Sequence, residues 1–210
     1  MNKLNQNQVT FSLFILVSIA ISLWIFASDE GTKPFKEMST EEQIEFLDAQ
    51  VNKYKTNVTE LIRYFEQDWK WEQILDKEEI QVKFCNLIKV YKAKEAVPLL
   101  VRHFDIVAYY GKESPTTISN RFVLATLAQI GMPALDPTAD KICSELGGLT
   151  YSEDTRHRIV FLREALKYLT LEILGRKLAI AYLEDKINDK ETSQKLKEIL
   201  TSVLDDIKKK

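Results

Sequence analysis

Histidine and cysteine are scarce in this chain of 210 residues, because each occurs only twice. Neither His103 nor His157 has a second histidine or a cysteine at the spacing that protein metal sites use. The sequence also lacks a glycine-rich phosphate loop, a nucleophile elbow and a Cys–His catalytic pairing. It therefore predicts no metal site and no cofactor, and we expect a protein that is not an enzyme.

The two cysteines are predicted to act as small hydrophobic side chains. Cys85 and Cys143 each lie among apolar residues, as thiols in helix cores do. We therefore expect two buried thiols. The alternative is a disulfide, which would require an exported location and two Cα atoms within about 7 Å of each other.

A strong excess of one charge is lacking as well. Lys and Arg number 29, Asp and Glu number 31, and the net charge is −2. Because the chain has no excess of positive charge to attract a polyanion, we expect no nucleic-acid partner. The tail Lys208–Lys210 is a local exception. We interpret it as a solvated terminus beside a helix dipole, and contact with anionic lipid or with an acidic partner is the alternative.

Patterns typical of β-strands are absent, and nearly every segment after residue 38 has the period of a helix. The predicted helices are 77–91, 95–110, 118–130, 134–146, 153–174, 177–187 and 192–207. Long breaks between these helices alternate with tight connections, which predicts antiparallel helix hairpins stacked in sequence. The predicted fold class is therefore all-α, a short α-solenoid preceded by a membrane helix.

One long hydrophobic run is present, since no side chain between Leu4 and Ser28 is charged. About 20 residues of helix match a hydrocarbon layer roughly 30 Å thick. The predicted organisation is listed from the N-terminus: a tail at 1–8, a transmembrane signal anchor at 9–28, a linker at 29–38 and a helical domain at 39–210. We expect a single-pass membrane protein with its soluble domain outside the cytoplasm. A cleaved signal peptide is the alternative, with Ile25 and Ala27 at the cleavage positions.

An apolar seam with alternating spacings of three and four residues runs from Ile44 to Phe65. A period of roughly 3.5 residues is typical of a coiled coil, so one interpretation is a stalk that forms homo-oligomers through residues 44–65. The other is one long helix laid against the rest of the domain. We favour the second interpretation because Phe46 and Ile62 widen the apolar stripe.

Two segments with similar sequences open predicted helices, Lys94 to Leu100 and Ile130 to Pro137. Each places a proline in the first helical turn, where its missing N–H costs nothing. A third, more degenerate segment begins at Ile173 and lacks the proline. On these segments, residues 77–207 resemble the HEAT-repeat (armadillo-like) family, whose units of about 40 residues each pair two helices. The resemblance implies a curved helical array that binds other proteins.

Two polar groupings have a structural and a functional interpretation. Ser152 to His157 opens a predicted helix, so Ser152 is expected to cap it while Glu153 and Asp154 complement its dipole. Cation binding or proton transfer by these acids with His157 is the alternative. His103 and Asp105 similarly fit a half-buried helix face, with a polar pocket as the alternative.

The polar loop 111–117 is the predicted interaction surface, because loops on one face of a repeat array carry recognition. Its candidate residues are Lys112, Glu113, Ser114, Thr116 and Thr117. A tolerated insertion is the alternative interpretation.

Together these features predict a membrane-anchored, extracytoplasmic helical-repeat protein that serves as a scaffold or adaptor for another protein. Its expected partners are that protein and the membrane. One alternative is a cell-envelope hydrolase whose paired carboxylates are dispersed in the sequence. The other is the coiled-coil stalk described above.

Overall fold

The computed structural model describes Lys33 and residues 35–51, 58–67, 78–105 and 121–209. All regular structure in these residues is helical, which confirms the all-α prediction. The chain divides into two compact units, Met1–Ser39 and Thr40–Lys210. The first contains a short 3-10 helix, Phe35–Glu37, and the second contains the α-helices.

Eight α-helices are present in the described part of the second unit. They are α1 (Thr40–Val51), α2 (Val58–Gln67), α3 (Glu78–Tyr91), α4 (Val97–Arg102), α5 (Phe122–Ile130), α6 (Met132–Gly148), α7 (Glu153–Asn188) and α8 (Gln194–Lys208). A 3-10 helix, Lys94–Ala96, leads directly into α4.

A glycine divides α7 into two arms, 153–174 and 176–188. Gly175 has φ 70° and ψ 166°, a conformation that interrupts the helix and that side chains with a Cβ avoid. The first arm follows directly on α6, whereas the second arm lies parallel to α6, with Tyr182 beside Asp136 and Lys186 beside Asp140. The chain therefore reverses direction at Gly175, and the two arms form a hairpin.

The same backbone feature recurs at three tight turns. Gly131, between α5 and α6, has φ 87°, and Lys92, between α3 and the 3-10 helix, has φ 47°. Together with Gly175, these residues place a left-handed conformation between the two helices of three hairpins. The turns recur at intervals of about 40 residues, as in helical repeats.

The helices of the second unit pack in two layers. The first layer holds α1, α3, α5, the first arm of α7 and α8, with each element against the next. The second layer holds α2, α4, α6 and the second arm of α7. Stacking of consecutive hairpins buries one continuous core between the layers.

The core is apolar, and its buried hydroxyls are satisfied. Phe65 of α2 stacks on Phe84 of α3 with ring centroids 3.9 Å apart. Thr126, Thr138 and Thr170 are fully buried, and each donates to the carbonyl four residues earlier, at 2.6–2.9 Å. These hydroxyls therefore add no unpaired polar group to the core.

The predictions that concern the membrane are corrected. No helix among the described residues is long and apolar enough to cross a membrane. This finding contradicts the transmembrane helix in the predicted fold class and the predicted single-pass membrane location. Residues 9–28, on which both predictions rested, lie outside the described residues.

The apolar seam lies on two helices in the structure, α1 and α2, and the residues between them, 52–57, are outside the described part of the chain. Leu47, Leu61 and Phe65 are buried, and α1 packs against α3. This part of the seam is therefore covered within the chain. Homo-oligomerisation through residues 44–65 stays a prediction.

Candidate functional surface

The predicted interaction loop lies within 106–120, which the structure does not describe. Lys112, Glu113, Ser114, Thr116 and Thr117 therefore have no structural assignment, and their role stays a prediction.

Two arginines, Arg121 and Arg158, both contact Asp105, and we call these three residues with Glu145 and Phe161 the arginine cluster. Arg158 on the first arm of α7 pairs with Asp105 at 2.8 Å and with Glu145 of α6 at 2.6 Å. Arg121 donates to the backbone carbonyl of Asp105 and lies 4.0 Å from the centre of the Phe161 ring. Burial opposes the charge of Arg158, but the hydrogen bonds that Arg158 donates to Glu145 and Asp105 outweigh this effect and raise the Arg158 pKa. The cluster therefore connects the end of α4 with α6 and α7.

The earlier interpretation of His103 and Asp105 is clarified by this cluster. His103 is half-buried and directly follows α4, and the Asp105 carboxylate pairs with Arg158. Both residues are half-buried as expected, but they lie in the turn that follows α4 and not on a helix face, because the helix ends at Arg102. Sequence reasoning missed Arg158 and Arg121, because the contacts that define their roles join residues far apart in the chain.

The helix start at Ser152 has the predicted structural role. The Thr155 backbone N–H donates to the Ser152 hydroxyl at 3.3 Å, and the Ser152 backbone N–H donates to the Thr155 hydroxyl at 2.9 Å. This is a capping box with threonine in the usual place of Glu or Gln. His157 is exposed, and the described residues contain no group of His, Cys, Asp and Glu that could hold a metal ion.

Both cysteines are free and buried, which confirms the prediction of two buried thiols. Burial raises the pKa of Cys85 to about 12 and that of Cys143 to about 11. Thiols that stay protonated at neutral pH are poor nucleophiles.

The second layer has a defined register between α6 and the second arm of α7. The Tyr182 hydroxyl donates to Asp136 at 2.8 Å, and Lys186 pairs with Asp140 at 2.7 Å. Burial and the bond to Asp136 raise the Tyr182 pKa. Since both pairs join residues at the same sequence offset on parallel helices, this register also places Met132 beside Leu178.

Four carboxylates in the described residues make contacts that are given above. Asp105 and Glu145 share Arg158, while Asp136 and Asp140 engage Tyr182 and Lys186, as given above. The hydrolase stays an untested alternative.

We call the side of the stack that carries Lys92, Gly131 and Gly175 the turn edge. Val90, Met132 and Leu178 lie on it, with 56%, 62% and 58% of their surfaces exposed. Basic residues accompany them, namely Lys92, Lys94, Arg176, Lys177 and Lys209, all exposed. The turn edge thus combines exposed apolar side chains with positive charge.

The opposite edge of the stack carries the starts of the first-layer helices. Ser152 caps α7 there, and Lys195 at the start of α8 donates to the Gly147 carbonyl at 3.3 Å. The arginine cluster lies on this edge as well, at the ends of α4 and α6.

Comparison of the chain with protein-family models, with curated proteins and with solved structures found no match. The candidate surfaces are therefore defined by geometry and chemistry alone.

Proposed function

We propose that this chain is a HEAT-like helical-repeat protein that serves as a scaffold or adaptor for another protein. The observation that carries the proposal is the recurrence of one hairpin unit. Three tight turns, at Lys92, Gly131 and Gly175, each have a positive φ and each join a first-layer helix to a second-layer helix.

The stacking of such units supports a binding role for a physical reason. Parallel helices at fixed register present side chains in rows, as the pairs Asp136–Tyr182 and Asp140–Lys186 do on α6 and α7. Solenoids use rows of this kind as extended binding surfaces. The amphipathic helix α8 buries Leu200, Val203 and Leu204 against the stack and turns polar residues outward.

Site-specific photo-crosslinking in the native cells tests the proposal. A photoreactive amino acid is placed at exposed positions on different faces, at Met132 and Leu178 on the turn edge and at Val160 on the first arm of α7. A scaffold should capture one protein from neighbouring positions on a single face. Failure to capture any protein from all three positions, or capture of the same mixture from every position, would contradict the proposal.

A further inference from the structure

We infer that the turn edge is the docking surface, and that it takes an acidic, apolar segment of a partner protein. The inference rests on the proposed function and adds the place of binding and the chemistry of the partner.

The geometry of the turn edge suits an extended segment. Lys92, Gly131 and Gly175 lie at the same end of three stacked hairpins, and neighbouring packed helices are about 8–10 Å apart. The edge therefore spans roughly 20 Å from the first turn to the third. An extended peptide of about six residues covers that distance.

The apolar residues on this edge are not needed by the core. Val90, Met132 and Leu178 are more than half exposed, and the register of α6 with α7 brings the last two side by side. A row of exposed apolar side chains with a polar rim is typical of protein-binding sites. Every second side chain of an extended segment points to the same face, and these side chains can contact the apolar row on the turn edge.

The positive charge of the turn edge favours a partner segment with negative charge. Lys92, Lys94 and Lys177 are exposed, and none forms an ion pair within the described part of the chain. Arg176 donates to the Lys208 carbonyl at 2.6 Å, which brings the basic end of α8 to the same edge. Glu95 and Glu172 are carboxylates on this edge, and the cations outnumber them.

Helix stabilisation accounts for only some of these cations, since Lys92 also follows the C-terminal end of a helix, α3. Lys208 and Lys209 complement the dipole at the end of α8. Lys94 and Lys177, in contrast, lie near helix starts, where the dipole favours acids. The chain as a whole is slightly acidic, with a net charge of −2, so composition does not explain the positive edge either. An acidic partner supplies the missing counter-charge.

A fluorescent synthetic peptide about ten residues long, in which Glu and Leu alternate, is the probe. Its binding to the full chain is followed by fluorescence anisotropy at low and at moderate salt. The key variant is Lys92→Glu with Lys177→Glu on the turn edge. Its matched control is Arg156→Glu with Lys190→Glu on the opposite edge, where both residues are exposed.

We expect the turn-edge double reversal to weaken peptide binding by about tenfold and the control by less than about twofold. Replacing Met132 and Leu178 with Ser should also weaken it, and moderate salt should weaken the wild-type interaction. The variant with Lys92→Gln and Lys177→Gln introduces no repulsion, so its loss of peptide affinity should be smaller than that of the double reversal. Circular dichroism confirms that each variant is folded.

Several results would overturn the inference. One is the absence of peptide binding up to about 1 mM. Another is a loss of peptide affinity in the control variant that equals the loss in the turn-edge variant. A third is equal binding of a Gln–Leu peptide, an RNA oligonucleotide or an anionic lipid vesicle, since the edge would then not select an acidic apolar segment of protein.

Crosslinking separates this inference from the proposed function. Capture of one protein from Val160 alone would leave the scaffold function standing and overturn the turn edge as its docking surface. Capture from Met132 and Leu178, with an acidic and apolar peptide mapped at the crosslink, supports both. If no position captures a protein, the proposed function itself fails.

Discussion

At the scale of single residues, the least explained group in the described core is the amide of Gln81. Its side chain lies on α3, which packs against α1 and α5, and is fully buried, yet within the described residues neither the nitrogen nor the oxygen has a hydrogen-bond partner. A buried polar group without a partner costs about 1–3 kcal/mol, because it has lost its water and gained nothing in return.

Replacing Gln81 with Met should therefore stabilise the chain by about 1–2 kcal/mol, since Met has a similar length and no amide to satisfy. Urea denaturation measures the change in the free energy of unfolding. Gln129→Met is the control, because Gln129 is exposed at the end of α5 and should change stability by less than about 0.5 kcal/mol. A destabilised Gln81 variant would contradict this account of the amide.

The two buried thiols predict a loss of stability at high pH. Their pKa values in the folded chain are raised by burial, to about 12 for Cys85 and about 11 for Cys143, from a usual value of 9.0. Above pH 9 the thiols of the unfolded chain release protons while those of the folded chain do not, so the free energy of unfolding falls as pH rises.

The slope expected from each thiol approaches about 1.4 kcal/mol per pH unit between pH 9 and the folded pKa. Stability measured from pH 8 to 11 should thus fall more steeply in the wild type than in a variant with Cys85→Ala and Cys143→Ala. Parallel curves would mean that the thiols are not buried in the folded chain.

At the scale of helices, the sequence predicts the elements in which apolar residues recur regularly along a short stretch of chain. The predicted helix 77–91 lies at Glu78–Tyr91, and the predicted break after residue 174 coincides with the turn at Gly175. The predicted start of α6 at Ala134 is two residues late, because the helix tolerates Pro133 in its first turn.

Other element ends depend on contacts between distant residues, which spacing does not reveal. The predicted helix 95–110 ends at Arg102, and just beyond it Asp105 pairs with Arg158. The turn edge was not predicted for the same reason. Its cations are scattered in the sequence and meet only after the hairpins stack.

The turn at Gly175 should be sensitive to a single methyl group. A Cβ there would have open space, so Gly175→Ala costs backbone strain alone, about 1–3 kcal/mol at φ 70° and ψ 166°. The same substitution at Gly147, inside α6 and also with open space, should stabilise by a few tenths to about 1 kcal/mol. Thermal denaturation compares the two variants. Equal effects would indicate that α7 continues straight through Gly175.

At the scale of the whole second unit, Thr40–Lys210, the account depends on the layering of hairpins. Consecutive hairpins must stack with their turns on one edge for Val90, Met132, Leu178 and the neighbouring lysines to form one surface. A helical bundle closed about a central axis would scatter these residues. The layering thus determines whether the proposed docking surface exists.

The most direct measurement is the distance between spin labels placed at Lys92 and Leu178, obtained by pulsed electron paramagnetic resonance. Stacked hairpins place the first and third turns two helix spacings apart, so we expect a distance of roughly 20 Å. A pair at Lys92 and Lys190, which joins the turn edge to the opposite edge, should give a clearly longer distance. A distance between Lys92 and Leu178 equal to or longer than that of the second pair would contradict the layered arrangement.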